Sequence, residues 1–163
     1  INLSKGSGPI NLSKSSGEAI TEIYIGLGWD LAQGQQIDLD GSVALLQQSG
    51  KLLTDSHFIF YNNLRSPEGS VIHSGDNLDG SGDGDDESIR INLAGVPPPV
   101  TKILVIVSLN NANGKSFLDV RNAFLRIVDG PTNQETHRFN LSAGQGGKME
   151  CVVMASIDRN TNS

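Results

Sequence analysis

Ser88-Ile89-Arg90-Ile91-Asn92-Leu93 alternates polar and apolar side chains at every step, the period-two pattern of a strand with one face buried. It follows directly on Asp76-Asn77-Leu78-Asp79-Gly80-Ser81-Gly82-Asp83-Gly84-Asp85-Asp86-Glu87, which holds six acids and no base. The junction of these two segments decides the fold. Asp79, Ser81 and Asp83 would occupy positions one, three and five of an EF-hand loop, and Gly84 its turn position. Position twelve, which needs a bidentate Glu, is Arg90. An EF-hand also continues into a helix. A strand follows here, so the acidic segment is a connection between strands.

The same period recurs on both sides of it. Runs rich in β-branched or alternating apolar residues cover Ile20 to Leu27, Gln36 to Gln47, His57 to Tyr61, Glu87 to Leu93, Lys102 to Leu109, Ala123 to Val128, Glu135 to Leu141 and Met149 to Ile157. Short strands at this spacing predict an all-β, antiparallel sandwich. Ser49-Gly50, Asn113-Gly114 and Asp129-Gly130-Pro131 supply turn chemistry at the joints. Nineteen glycines and six prolines interrupt the chain too often for long helices, which leaves short helical turns near Ala94 to Val96 and Ser116 to Arg121. Ile1-Asn2-Leu3-Ser4-Lys5 is echoed by Ile10-Asn11-Leu12-Ser13-Lys14; both suit brief edge strands with a Lys against unwanted pairing. A length of 163 residues is expected to form one domain, residues 1–163.

Charge narrows the function. The net charge is −6, and without the Asp76 to Glu87 segment the remaining acids balance the Lys and Arg, so the excess is local. That argues for a cation as partner and against nucleic acid, which calls for a basic face. The lone Cys151 cannot form an internal disulfide; its neighbours predict a small buried or half-buried side chain, and a reducing, cytoplasmic setting is expected. The longest apolar run, Ile103 to Val107, is strand-sized, so no membrane span is expected.

Calcium takes six to eight oxygens from carboxylates, amide carbonyls and water. The acidic segment offers them densely, and its glycines permit the bends that let oxygens converge. The competing reading is a solvated acidic turn. Asp38-Leu39-Asp40 lies in a strand-like stretch, so its two carboxylates share one face while Leu39 takes the other. Asn62 and Asn63 could add amide oxygens, and Asp30 is a weaker candidate. No set of nucleophile and base stands out. His57, His73 and His137 are each expected to be satisfied or surface histidines, with His73 the one to test as neighbour of a metal site, and no enzyme activity is expected.

Gly26-Leu27-Gly28-Trp29-Asp30, Asp38-Leu39-Asp40, Phe58-Ile59-Phe60-Tyr61-Asn62-Asn63-Leu64, His73-Ser74-Gly75-Asp76-Asn77, Gly82-Asp83-Gly84-Asp85-Asp86-Glu87 and Val120-Arg121-Asn122-Ala123-Phe124 run in order along nearly the whole chain. Together they resemble the TerD family of tellurite-resistance and stress-response domains. The resemblance implies a β-sandwich binding two calcium ions, with ligands drawn from Asp38, Asp40, Asn62, Asp76, Asn77, Asp83, Asp85, Asp86 and Glu87; their division between the ions stays open. It also implies a binding or scaffold role in stress resistance, with other stress-response proteins or further copies of the chain as partners. Direct tellurite binding is not expected from one thiol and an acidic loop. Family members usually continue past the strand matching Met149 to Ile157 with a Trp-containing strand, which this chain is expected to lack. An open edge would then suit edge-to-edge self-assembly, the alternative function.

Overall fold

A computed structural model describes residues 2–3, 18–30, 37–75, 84–110, 114–117, 119–141 and 150–159. Among these described residues ten strands follow in order: β1 (Asn2–Leu3), β2 (Glu22–Asp30), β3 (Asp38–Gln47), β4 (Phe58–Ile59), β5 (Val71–His73), β6 (Glu87–Asn92), β7 (Val100–Asn110), β8 (Arg121–Asp129), β9 (Gln134–Leu141) and β10 (Cys151–Asp158). They form a six-stranded sheet, β1-β9-β8-β2-β6-β5, and a four-stranded sheet, β10-β7-β3-β4. Pairing is antiparallel except where β1 runs parallel to β9. The all-β sandwich read from the alternation is the observed fold.

Period two sorts each strand between the layers. From the larger sheet, Ile23, Ile25, Leu27 and Trp29 of β2, Ile89 and Ile91 of β6, and Leu125 and Ile127 of β8 enter the core. Leu39, Val43 and Leu45 of β3 meet them with Ile103, Val105 and Val107 of β7. Each such side chain contributes roughly 1.5–3 kcal/mol on burial, so the sandwich is held by this interface and needs no staple.

The register sets which loops share an end. Leu27 lies opposite Glu87, Asp30 opposite Arg121 and Ala123 opposite Leu141. In the other sheet, Asp38 and Asp40 lie opposite Asn110 and Ser108, and Cys151 also faces Ser108. The connections β2–β3, β5–β6, β7–β8 and β9–β10 therefore leave from one end of the sandwich. Asp38-Leu39-Asp40 and both stems of the acidic segment are at that end.

Several boundaries depart from the sequence reading. His57 does not open a strand: Asp55–His57 is a 3-10 turn, and β4 is only two residues long. β5, too short to show a period, pairs with β6. Of the two N-terminal echoes, the first supplies β1 and Ile10 to Lys14 lies outside the described residues. The expected helical turn near Ala94 is the 3-10 turn Leu93–Gly95. Near Ser116 a turn closes through Asp119 N–H to Ser116 C=O at 2.9 Å, and Arg121 already belongs to β8. Cys151, expected to be buried or half-buried, is exposed. It opens β10 at the edge of its sheet, where no neighbouring strand in the described order covers it.

Candidate metal centre

The two stems of the acidic loop are fixed differently. On the first, His73 closes β5 with its ring in the core, and its Nδ1 accepts the Gly75 N–H at 3.0 Å. Gly75 has φ +108°, a conformation that only glycine adopts readily, and it turns the chain into the 76–83 segment. On the second stem, Asp86 donates its N–H to Leu27 C=O at 2.8 Å, and its Oδ2 accepts the Trp29 N–H at 2.9 Å. Residues 84–86 thus run along β2. Gly26 and Gly28 allow the approach: a Cβ on Gly28 would stand 2.6 Å from Gly84 O, and one on Gly26 would collide with the Asp85 carboxylate.

Glu87, which opens β6, turns inward and is 2% exposed. Its Oε2 accepts the N–H of Gly41, on the opposite sheet, at 2.9 Å. His73 Nε2 meets the carbonyl of the same Gly41 at 3.1 Å and stands 3.6 Å from Glu87 Oε2. Both backbone groups of Gly41 are therefore held by side chains from the other layer. Burial opposes a charge on His73, but Glu87, aided by the Gly41 carbonyl and Asp40, outweighs it and raises the imidazole pKa.

Beside Gly41, Asp40 is 4% exposed. Asp38, two residues earlier on the same face of β3, accepts the Asn110 Nδ2–H at 3.2 Å through Oδ2. Leu39 points into the core between them, as period two requires. The strands thus bring Asp38, Asp40, Asp86 and Glu87 to the loop end, while Asp76, Asn77 and Asp83 lie outside the described residues. Among the described residues no three His, Cys, Asp or Glu side chains are grouped closely enough to hold an ion. The available donors are all oxygens, the chemistry a hard cation takes, but a complete shell would need donors from residues 76–83.

A TerD domain model matches residues 1–163. The chain belongs to the TerD family. It is 46% identical to the tellurium resistance protein TerD of Serratia marcescens over 146 residues, 87% of this chain and 75% of that protein. It is 43% identical to general stress protein 16U of Bacillus subtilis, with the same shares covered. A crystal structure of a Streptomyces coelicolor homologue of telluride resistance protein (TerD) superposes with a TM-score of 0.73 at 20% identity, covering 88% of this chain and 83% of that one. A second structure, of a protein of unknown function, gives 0.74 at 22% identity, with 87% and 82% covered.

Two other expected ligands of this TerD domain stand apart from these carboxylates. Asp85 points to the outer face of the larger sheet, where Arg126 grips both its oxygens at 2.8 and 3.0 Å. Arg126 also reaches Glu135 at 3.5 Å, and Arg138 binds Glu135 and lies 4.2 Å over the Phe124 ring. Asn62 is exposed in the tight turn closed by Phe60 and Asn63, and Asn63 spends its amide on the carbonyls of Ser56 and Phe58. Asp30 accepts Asn122 Nδ2–H at 2.7 Å.

Sequence reasoning passed over Gly41 and Arg126. A glycine in a strand and an arginine 41 positions from its partner carry no local signal. The remaining two histidines are buried against neighbouring side chains. His57 is buried between Thr54 Oγ1 at 2.7 Å and Glu68 Oε2 at 3.1 Å, bracing one loop on another. His137 is buried with Nδ1 at 3.1 Å from Thr136 Oγ1.

Proposed function

We propose that this TerD domain is a calcium-binding module serving tellurite and general stress resistance, acting by binding rather than catalysis. The observation that carries the reading is that Asp38, Asp40, Asp86 and Glu87 stand on or beside rigid strands at the end where the acidic 76–83 segment leaves and returns. Six acids within the twelve residues from Asp76 to Glu87 repel one another. A divalent cation offsets that repulsion, and ordering the loop against β3 would join the two layers. The names of the Serratia and Bacillus relatives support the stress role.

The test is thermal unfolding during a calcium titration, with magnesium as control. A ligand at a hundred times its Kd stabilises by about 2.7 kcal/mol, a rise of roughly 5–11 °C in Tm for a domain of this size. A flexible, all-oxygen site should prefer calcium. Asp83→Ala combined with Asp38→Asn should abolish the rise and leave the core intact. No calcium-dependent rise in the wild type would sink the reading.

A second reading, edge-to-edge self-assembly, draws on β10. It ends the described strand order, carries no charge from Cys151 to Ile157, and leaves Val153 55% exposed. Such an edge can pair with another chain. Light scattering with and without calcium separates a binding module from a polymer.

A further inference from the structure

We propose that His73 is the positioning residue of the acidic loop, a ring that ties the entry stem at Gly75 to Gly41 of the opposite sheet, the residue that also holds Glu87 of the returning stem. Its consequence for affinity rests on the cation-binding reading; the positioning itself does not.

Three contacts carry it. Nδ1 accepts the amide of Gly75, the last described residue before the segment, at 3.0 Å. That bond needs a lone pair on Nδ1, so the ring proton sits on Nε2. Nε2–H is aimed at Gly41 O, 3.1 Å away on β3, and lies 3.6 Å from Glu87 Oε2 on the returning stem. Gly41 N–H completes the ring of contacts by donating to Glu87 Oε2 at 2.9 Å. His73 and Glu87 are both buried, so neither can swing into water without leaving Gly41 behind. Glu87 is thereby kept against Gly41 of β3. A neutral imidazole with one accepting and one donating nitrogen suits this task, because the entry stem offers an N–H and the opposite strand a C=O.

Three variants separate the two arms. His73→Gln keeps a donor near the Nε2 position and lacks the acceptor for Gly75. His73→Asn keeps the acceptor and lacks the reach to Gly41. His73→Phe keeps bulk and lacks both. Nitrogen-15 NMR of the metal-free wild type, at alkaline pH where the ring is neutral, should show the proton on Nε2. Amide hydrogen exchange at Gly75 should accelerate in the Gln and Phe variants and stay slow in Asn. Calcium affinity should fall about ten- to hundredfold in Asn and Phe, the usual loss when a ligand's supporting partner is removed, and stay close to wild type in Gln. An Nδ1–H tautomer, unchanged Gly75 exchange in both Gln and Phe, or equal affinity in all three variants would overturn the assignment. A wild type that binds no calcium would refute the cation reading, while the tautomer and the exchange would still decide whether His73 ties the entry stem.

Discussion

Gly28→Ala tests how the second stem is held. A strand position with ordinary backbone angles should gain from alanine by roughly 0.4–1 kcal/mol through a less flexible unfolded chain. In this sandwich the added Cβ would stand 2.5 Å from Phe124 Cζ and 2.6 Å from Gly84 O, about 1 Å inside ordinary contact. The ring can tilt, although Arg138 lies over it. The carbonyl can retreat only if residues 84–86 lift from β2, stretching the Asp86 N–H bond to Leu27 and the Trp29 N–H bond to Asp86. Overpacking of this kind costs about 1–3 kcal/mol. At roughly 2–4 °C per kcal/mol for a domain of this length, Tm should fall by about 2–12 °C. Thermal unfolding measures the loss, and amide exchange at Trp29 and Asp86 shows where it falls. In a Phe124→Leu background the penalty should shrink without vanishing, because the carbonyl remains. A Tm at or above wild type, with slow exchange at both amides, would refute the close approach of the loop to β2.

Arg126 and Asp85 form a half-exposed bidentate pair, so a double-mutant cycle of Arg126→Ala and Asp85→Asn should give a coupling of about 0.2–1 kcal/mol that weakens with salt. Trp29→Phe removes the indole N–H donated to Ile37 O at 3.0 Å; it should cost about 1–3 kcal/mol for the buried carbonyl left behind, read by denaturant unfolding. Glu135 is held below the ordinary carboxylate range, first by its hydrogen bonds from Arg138 and then by Arg126. Its stabilisation is present above the unfolded value of about 4.3 and is lost as pH falls through the lower folded value. Glu135→Gln should accordingly flatten the acid limb of a Tm-against-pH curve and leave the region above pH 6 parallel to wild type.

Local pattern determined the layers and one half of the site. Alternation in Ser88 to Leu93 and in Asp38-Leu39-Asp40 states which side chains face the core, because a strand's side chains change face at every residue, and acid density alone singles out Asp76 to Glu87. The start of Asp55–His57, the three residues of β5 and the exposure of Cys151 were illegible, since each depends on what a neighbouring strand covers or leaves open. The tertiary structure decided how the carboxylates are shared out. Asp85 goes to Arg126 on an outer face and Glu87 goes inward to Gly41, although only Asp86 separates them in sequence. That division follows from the register of β6 against β2 and from the packing of one sheet on the other, long-range pairings that no stretch of sequence contains by itself.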